Sequence, residues 1–179
     1  MKSQLSLLFF VLISQIFVFG QANNNQNLVD PKGAIIIAGL EGQVSVINNL
    51  TNIPLPPEKV KPGGILFDGH TIKTGPASKI ILLLTNGTIT TLKPETSLNF
   101  KKFTQEKFDT SKTKLNELKG EPSKSTTIMD IEFGDLVVDV KKLDKESSFN
   151  IESPVGTAGI RGTVPAISVA KLPDGGFSQ

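Results

Sequence analysis

The sequence predicts an all-β fold, and three observations carry that prediction. Apolar and polar residues alternate with period two over Phe149–Glu152, Thr126–Phe133 and Ser97–Phe103, the pattern of half-buried strands. Turn pairs punctuate these runs at near-regular spacing: Asp68-Gly69, Asn86-Gly87, Gly134-Asp135 and Asp174-Gly175. Thr104–Ser123 breaks this rhythm, and Leu115 and Leu118, three apart, suit no more than a helical turn or two. Short strands separated this regularly indicate an all-β domain, and periodicity alone leaves a sandwich and a roll both open.

The first residues read as an export leader. Lys2 supplies a positive start, and Leu5–Phe19 is apolar except for Ser6, Ser14 and Gln15, too short for a membrane span of about 20 residues. Gly20 and Ala22 offer the small residues a signal peptidase reads, so residues 1–22 are expected to be removed as a signal peptide. No stable membrane span is expected after cleavage, and the chain is expected to be exported, to a periplasmic or extracellular location. With no cysteine in the chain, neither a lipid anchor at cysteine nor a disulfide is available. Residues 23–32, opening on the asparagine-rich Asn23–Asp30, read as a flexible spacer.

The folded part is expected over residues 33–179. Ala34–Ile37, followed by Val44 and Val46, reads as two short strands or one strand bent at Gly39 and Gly42. Asn48–Gly64 holds Pro54, Pro56, Pro57 and Pro62, which cannot donate to a sheet ladder, so it reads as a loop. Ile65–Phe67 and Thr71–Lys73 are expected to form a hairpin at Asp68-Gly69. Lys79–Leu84 and Thr88–Leu92 form a second at Asn86-Gly87, with a type I′ turn. A strand over Ser97–Phe103 follows.

Thr104–Ser123 breaks the rhythm, and Leu115 and Leu118 suit one short helical segment ending at Gly120. Strand alternation resumes over Thr126–Phe133 and, after a bend at Gly134-Asp135, over Leu136, Val138 and Val140. Ile167, Val169 and Leu172 give a last strand before a turn at Asp174-Gly175-Gly176. Only Phe177, Ser178 and Gln179 follow, fewer than the about five or six residues of an ordinary strand. The domain therefore reads as cut short, with Ile167–Ala170 at an unpaired sheet edge that should recruit a strand by self-association or from a partner.

Charge and residue usage narrow the chemistry. Lys and Arg number 19 against 17 Asp and Glu, a near balance without the basic, aromatic-laced footprint of a nucleic-acid binder. Lys101, Lys102, Lys107, Lys112, Lys114 and Lys119 cluster, but Glu106, Asp109 and Glu117 dilute them into a solvated face. His70 is the only histidine, and no G-x-S-x-G nucleophile motif accompanies it. It reads as a turn residue, not a catalytic one. One histidine and no cysteine rule against an ordinary zinc site, and Asp135, Asp139 and Asp144 are too loosely spaced for a calcium loop. Gly156, Gly159 and Gly162 do not form a dinucleotide cradle, because Val164-Pro165-Ala166-Ile167 cannot open the helix that motif requires. No catalytic, cofactor or metal residues are therefore assigned.

The most distinctive stretch is Ser147–Thr163, SSFNIESPVGTAGIRGT. Arg161 is the only arginine, set between Gly159 and Gly162. A position needing only charge could use lysine; a planar fork of donors braces several oxygens at fixed angles. Arg161 reads either as a brace on strand-end carbonyls and one carboxylate, with Glu132, Asp135, Asp139 or Glu152 as partner, or as an exposed fork for a ligand.

SPVGTAGIRGT, together with GDLVVDVKKL at Gly134–Leu143 and TNGTITTLKPETSL at Thr85–Leu98, resembles FecR-domain proteins over roughly Gly33–Val169. The resemblance implies a compact β-solenoid-like or roll-like stack of short strands. It also marks Pro154, Gly156, Gly159, Arg161, Gly162 and Thr163 as a motif with a structural or partner-binding role. Full-length FecR-type regulators add a cytoplasmic anti-sigma segment and a transmembrane helix, and receive a signal from an outer-membrane TonB-dependent receptor. This chain opens instead on an export leader and resembles the stand-alone exported type. The implied function is a non-enzymatic binding module without cofactor, whose partner is an envelope protein or cell-wall glycan. The alternative is a periplasmic signalling component that contacts a TonB-dependent receptor or a membrane regulator.

Overall fold

Period-two alternation becomes a stack of bent strands in the computed structural model, which describes residues 31–109, 114–172 and 175–178. The leader and most of the spacer lie outside the described residues. The strands are β1 (Ile35–Glu41), β2 (Val44–Asn48), β3 (Ile53–Pro54), β4 (Ile65–Leu66), β5 (His70–Thr74), β6 (Lys79–Leu84), β7 (Ile89–Leu92), β8 (Ser97–Gln105), β9 (Ser125–Asp139), β10 (Ser148–Ser153), β11 (Gly156–Gly159), β12 (Ala166–Lys171) and β13 (Phe177–Ser178). The fold is all-β, as the alternation predicts.

The strands run in consecutive pairs that act as single bent strands. β1 pairs with β6 while β2 pairs with β5. In the next layer β6 pairs with β7 while β5 pairs with β8. β7 and β8 then lie end to end along one side of β9. Each bent strand thus contributes one arm to each of two faces, which curl around a shared apolar core that includes Ile35, Ile72, Leu82, Phe100, Phe103, Ile131 and Val138.

Every corner is made by a left-handed residue: Gly42, Ala77, Glu95 and Gly134 all have positive φ. The corners are stitched by hydroxyls. The Ser78 hydroxyl accepts from the Gln43 amide at 2.8 Å, the Thr74 hydroxyl accepts from the Thr96 amide at 3.0 Å, and the Thr96 hydroxyl accepts from the Asp135 amide at 3.0 Å. A strand that turns a corner loses ladder bonds there, and these buried side chains replace them.

The bend at Gly134-Asp135 has a clear cause. Buried residues fall on odd positions from Ser125 to Ile131 and on even positions from Leu136 to Val140. An extra residue, Glu132, slips into the pairing with β8, and a bulge of that kind shifts the parity by one. The sequence places Met129 and Ile131 before the shift and Leu136 and Val138 after it, so both apolar sets meet the core.

Two predicted turns differ in detail. Asp68-Gly69 does not close a hairpin: β4 pairs with β1, whereas β5 pairs with β2 and β8. Gly69, at φ 79°, instead carries the chain from one face to the other. The β6–β7 hairpin forms, but its turn is not type I′. Gly87 donates to the Leu84 carbonyl at 2.8 Å and Leu84 donates to Thr88 at 2.9 Å, a three-residue loop with Gly87 alone at positive φ. The helical segment is a single 3-10 turn over Leu115–Glu117, and Leu118 packs over Gly87.

In the last layer β12 is an edge strand, as expected, but less open than expected: Ala166–Val169 pair with β9 from Val137 to Gly134 on one side. The chain then folds back far enough for β13 to cover Ala170 and Lys171. Asp174 of the predicted turn lies outside the described residues. Only the outward backbone groups of Ala166 and Ser168 stay open along β12, by the alternation of an antiparallel ladder.

Candidate interaction site

The segment Ser148–Thr163 forms the side of the stack where the bent-strand meander ends. β10 runs parallel to β9 from Ser148↔Thr126 to Glu152↔Asp130, and β11 folds back on β10 from Ser153↔Gly156 to Asn150↔Gly159. Pro154 and Val155 make the exposed tip of this hairpin, whose Ser153 hydroxyl donates to the Gly156 carbonyl at 3.0 Å. Ile160 alone of the GIRGT run is buried, and its amide donates to the Phe149 carbonyl at 2.8 Å. Gly162 adopts φ 69° against the backbone of Lys142, where a Cβ would stand 3.3 Å from the Lys142 Cα. The Thr163 carbonyl accepts from the Val140 amide at 3.0 Å.

Arg161 is exposed and spans the loop between β9 and β10. Its Nη2 donates to the carbonyls of Lys145 at 2.9 Å, Asp144 at 3.3 Å and Ser147 at 3.4 Å. The carbonyl part of the brace is therefore present, on the surface and without a carboxylate. None of the four proposed acidic partners meets Arg161: Glu152 and Asp139 pair with Lys101 and Lys141, Glu132 accepts from the Ser97 hydroxyl, and none of the ion pairs among the described residues includes Arg161 or Asp135. Arg161→Lys should cost about 0.5–1.5 kcal/mol, because all three bonds leave from Nη2 at the far end of the guanidinium, a point the shorter lysine side chain does not reach in the same geometry. Thermal denaturation measures this as a fall of a few degrees in the midpoint. A shallow cleft of about 340 Å³ lies beside the guanidinium, lined by Ser147, Asn150, Gly159, Ile160 and Arg161 among others.

The outer face of the neighbouring strands is a polar row that sequence reasoning missed. Thr71, Asn99, Asp130, Glu152 and Thr157 stand in register across β5, β8, β9, β10 and β11. The Thr71 hydroxyl donates to Asn49 at 2.7 Å, and Asn49 donates to Asn99 at 2.8 Å. Lys101, read as part of a solvated cluster, is bulged out of β8 and bridges Asp130 and Glu152 at 2.8 Å each. Alternation shows which residues face outward; which of them become neighbours depends on strand register, which no local pattern reveals.

The hydrogen bond to Asp130, then that to Glu152, raises the Lys101 ammonium above its ordinary value. A raised lysine contributes stability that is fully present below the ordinary lysine range and is lost as pH climbs through the raised value. Lys101→Met should leave two carboxylates side by side on adjacent strands and cost on the order of 1 kcal/mol, since the site is open to solvent. Denaturant titration at low and high salt checks this, with the difference from the unmodified chain shrinking at high salt.

His70 stands apart from this surface's polar chemistry. Its Nδ1 lies 3.0 Å from the Phe67 carbonyl, and an oxygen that can only accept makes this nitrogen the donor.

Among the described residues no helix is long and apolar enough to cross a membrane. No curated protein and no solved structure matches the chain. A family model described as FecR protein matches residues 70–175, from the start of β5 past β12, so that β1 to β4 lie outside the matched span although β1, β2 and β4 pack into the same core. That span is more than half of the chain and contains the whole SPVGTAGIRGT segment, and the chain belongs to the FecR family, whose domain is a module of envelope signal transduction.

Proposed function

We propose that this chain is exported and acts as a binding module with no reaction of its own, holding an envelope protein or a cell-wall glycan on the surface around β10, β11 and Arg161. The observation that carries this reading is the β11 edge: an exposed strand, at the end of a polar row, whose outward backbone groups have no partner among the described residues. Family membership favours a second reading, in which the held partner is a TonB-dependent receptor or a membrane regulator and the chain is a periplasmic signalling component. Retention of solubilised envelope proteins and of cell-wall glycans on the immobilised chain tests both. Retention of a receptor or regulator supports the second, retention of other proteins or glycan the first, and retention of neither defeats the binding role. Robust hydrolysis of an envelope substrate, lost in His70→Ala, would overturn the non-enzymatic part.

Export has its own test. Intact-mass measurement of the secreted protein should give a chain starting at Asn23, and a secreted chain starting at Met1 would contradict cleavage of the leader.

A further inference from the structure

We infer that the open edge of β11 takes an extended, acidic segment of a partner protein as an added strand. Its backbone pairs with Thr157 and Gly159 and its carboxylate meets the free donors of Arg161. The inference rests on the binding-module reading and names the partner class for that site.

The backbone argument comes from the ladder. Ile160 donates to Phe149, so the bonded pairs of this antiparallel hairpin fall on Ile160, Ala158 and Gly156. Thr157 and Gly159 then direct their N–H and C=O groups away from β10, because bonded and non-bonded pairs alternate. Both residues are exposed.

Sheet edges normally carry protection, and the other outer strands of this fold have it. β3 contains Pro54, β4 and β13 span two residues each, and β12 is preceded by Pro165 and capped by β13. β11 reads Gly-Thr-Ala-Gly, with no proline, charge or bulge, so nothing on it opposes a further strand. Strand addition of this kind takes its affinity from main-chain bonds and its specificity from side chains beside the edge.

The charge beside the edge selects the partner. All recorded bonds of Arg161 leave from Nη2, so Nε and Nη1 remain for a carboxylate along the cleft that Gly159 and Asn150 line. Lys142 lies against Gly162 and Lys145 presents its carbonyl to Arg161. Both lysines are exposed, and neither is in an ion pair among the described residues. The nearby acids are committed: Asp144 accepts from the Glu146 amide, and Glu146 pairs with Lys124. A second copy of the chain would set one such basic cluster against another, which disfavours self-pairing here. An acidic strand removes that repulsion and adds charge-assisted hydrogen bonds.

Amide exchange by NMR on the exported chain tests this, with a synthetic peptide of alternating glutamate and valine as the probe. The amides of Thr157 and Gly159 should exchange rapidly in the free chain and slow on saturation, while that of Ile160, already bonded, should not change. A lysine–valine peptide should bind on the order of tenfold more weakly. Thr157→Pro removes one outward N–H without touching the β10–β11 ladder, so it should abolish peptide binding at an unchanged melting midpoint. Should that variant misfold, the exchange data on the unmodified chain decide. Protection of Thr157 and Gly159 in the free chain, or no slowing with the glutamate peptide, overturns the inference. So does glycan in place of peptide protecting these amides. If the edge fails while an envelope protein is still retained elsewhere, the binding role survives. If the peptide adds to β11 but no envelope protein or glycan is retained, the edge stands and the proposed function falls.

Discussion

Gly134→Val should leave almost no folded protein. A Cβ at this position would lie 2.4 Å from the Thr96 Oγ1 and 2.5 Å from the Thr96 Cα, and the backbone at φ 103° is one a β-branched residue rarely adopts. The nearer atom could rotate away, but the Cα is backbone and belongs to the seam that joins β8 to β9. The combined clash and strain should cost about 4 kcal/mol or more, a large part of the roughly 5–15 kcal/mol that stabilises a domain of ordinary size. Circular dichroism and yield of soluble protein measure the outcome. Gly39→Ala is the matched control: nothing stands within 4 Å of its Cβ and its φ is not positive, so its stability should change by less than about 1 kcal/mol. Equal behaviour of the two variants would show that the corner does not need its glycine.

Phe103→Ala should be the most costly of the simple truncations, at about 3–5 kcal/mol. The ring is fully buried, and Gly33 lies so close over it that a Cβ there would stand 2.4 Å from the Phe103 Cε1. The Gly33 amide also donates to the Phe103 carbonyl at 2.9 Å. Losing the ring therefore opens a cavity and removes the surface on which the segment before β1 rests. Urea titration should show the midpoint falling and the amides of residues 32–34 losing exchange protection together. Loss of stability with that segment still protected would mean its anchor lies in the hydrogen bonds alone.

The fold class was legible because alternation is a local property. Phe149 and Ile151, or Leu82 and Leu84, declare a buried face without knowledge of their partners. The bend at Gly134 was legible for the same reason, since the parity of Met129 and Ile131 conflicts with that of Leu136 and Val138. Asp68-Gly69 was misread because a turn residue reports local dihedral angles, and the same positive φ serves a hairpin or a crossing between faces. The neighbours of the last strand were not legible because its principal partner, β9, lies some thirty residues earlier in the chain. The site divides in the same way. The singular arginine marks its place in the sequence, whereas its three carbonyl partners come from a loop whose backbone groups have no side-chain signature. The Lys101–Asp130–Glu152 cluster could not be found without the register of three strands.

The corners decide how the molecule can come apart. β9, and each of the end-to-end pairs β1–β2, β5–β6 and β7–β8, threads both faces, so neither face owns a separate length of chain. Releasing one face would require every corner to open and would drag the hydroxyl seam of Thr74 and Thr96 with it. Such an arrangement should melt as one cooperative unit, with probes of the two faces giving coincident transitions. The hairpins outside the seam, β10–β11 and β12–β13, are free of that constraint. They are held instead by their ladders to β9 and by Phe149, Ile151, Ile160, Ile167 and Val169 in the shared core, so any opening that precedes global unfolding should begin at their outer ends.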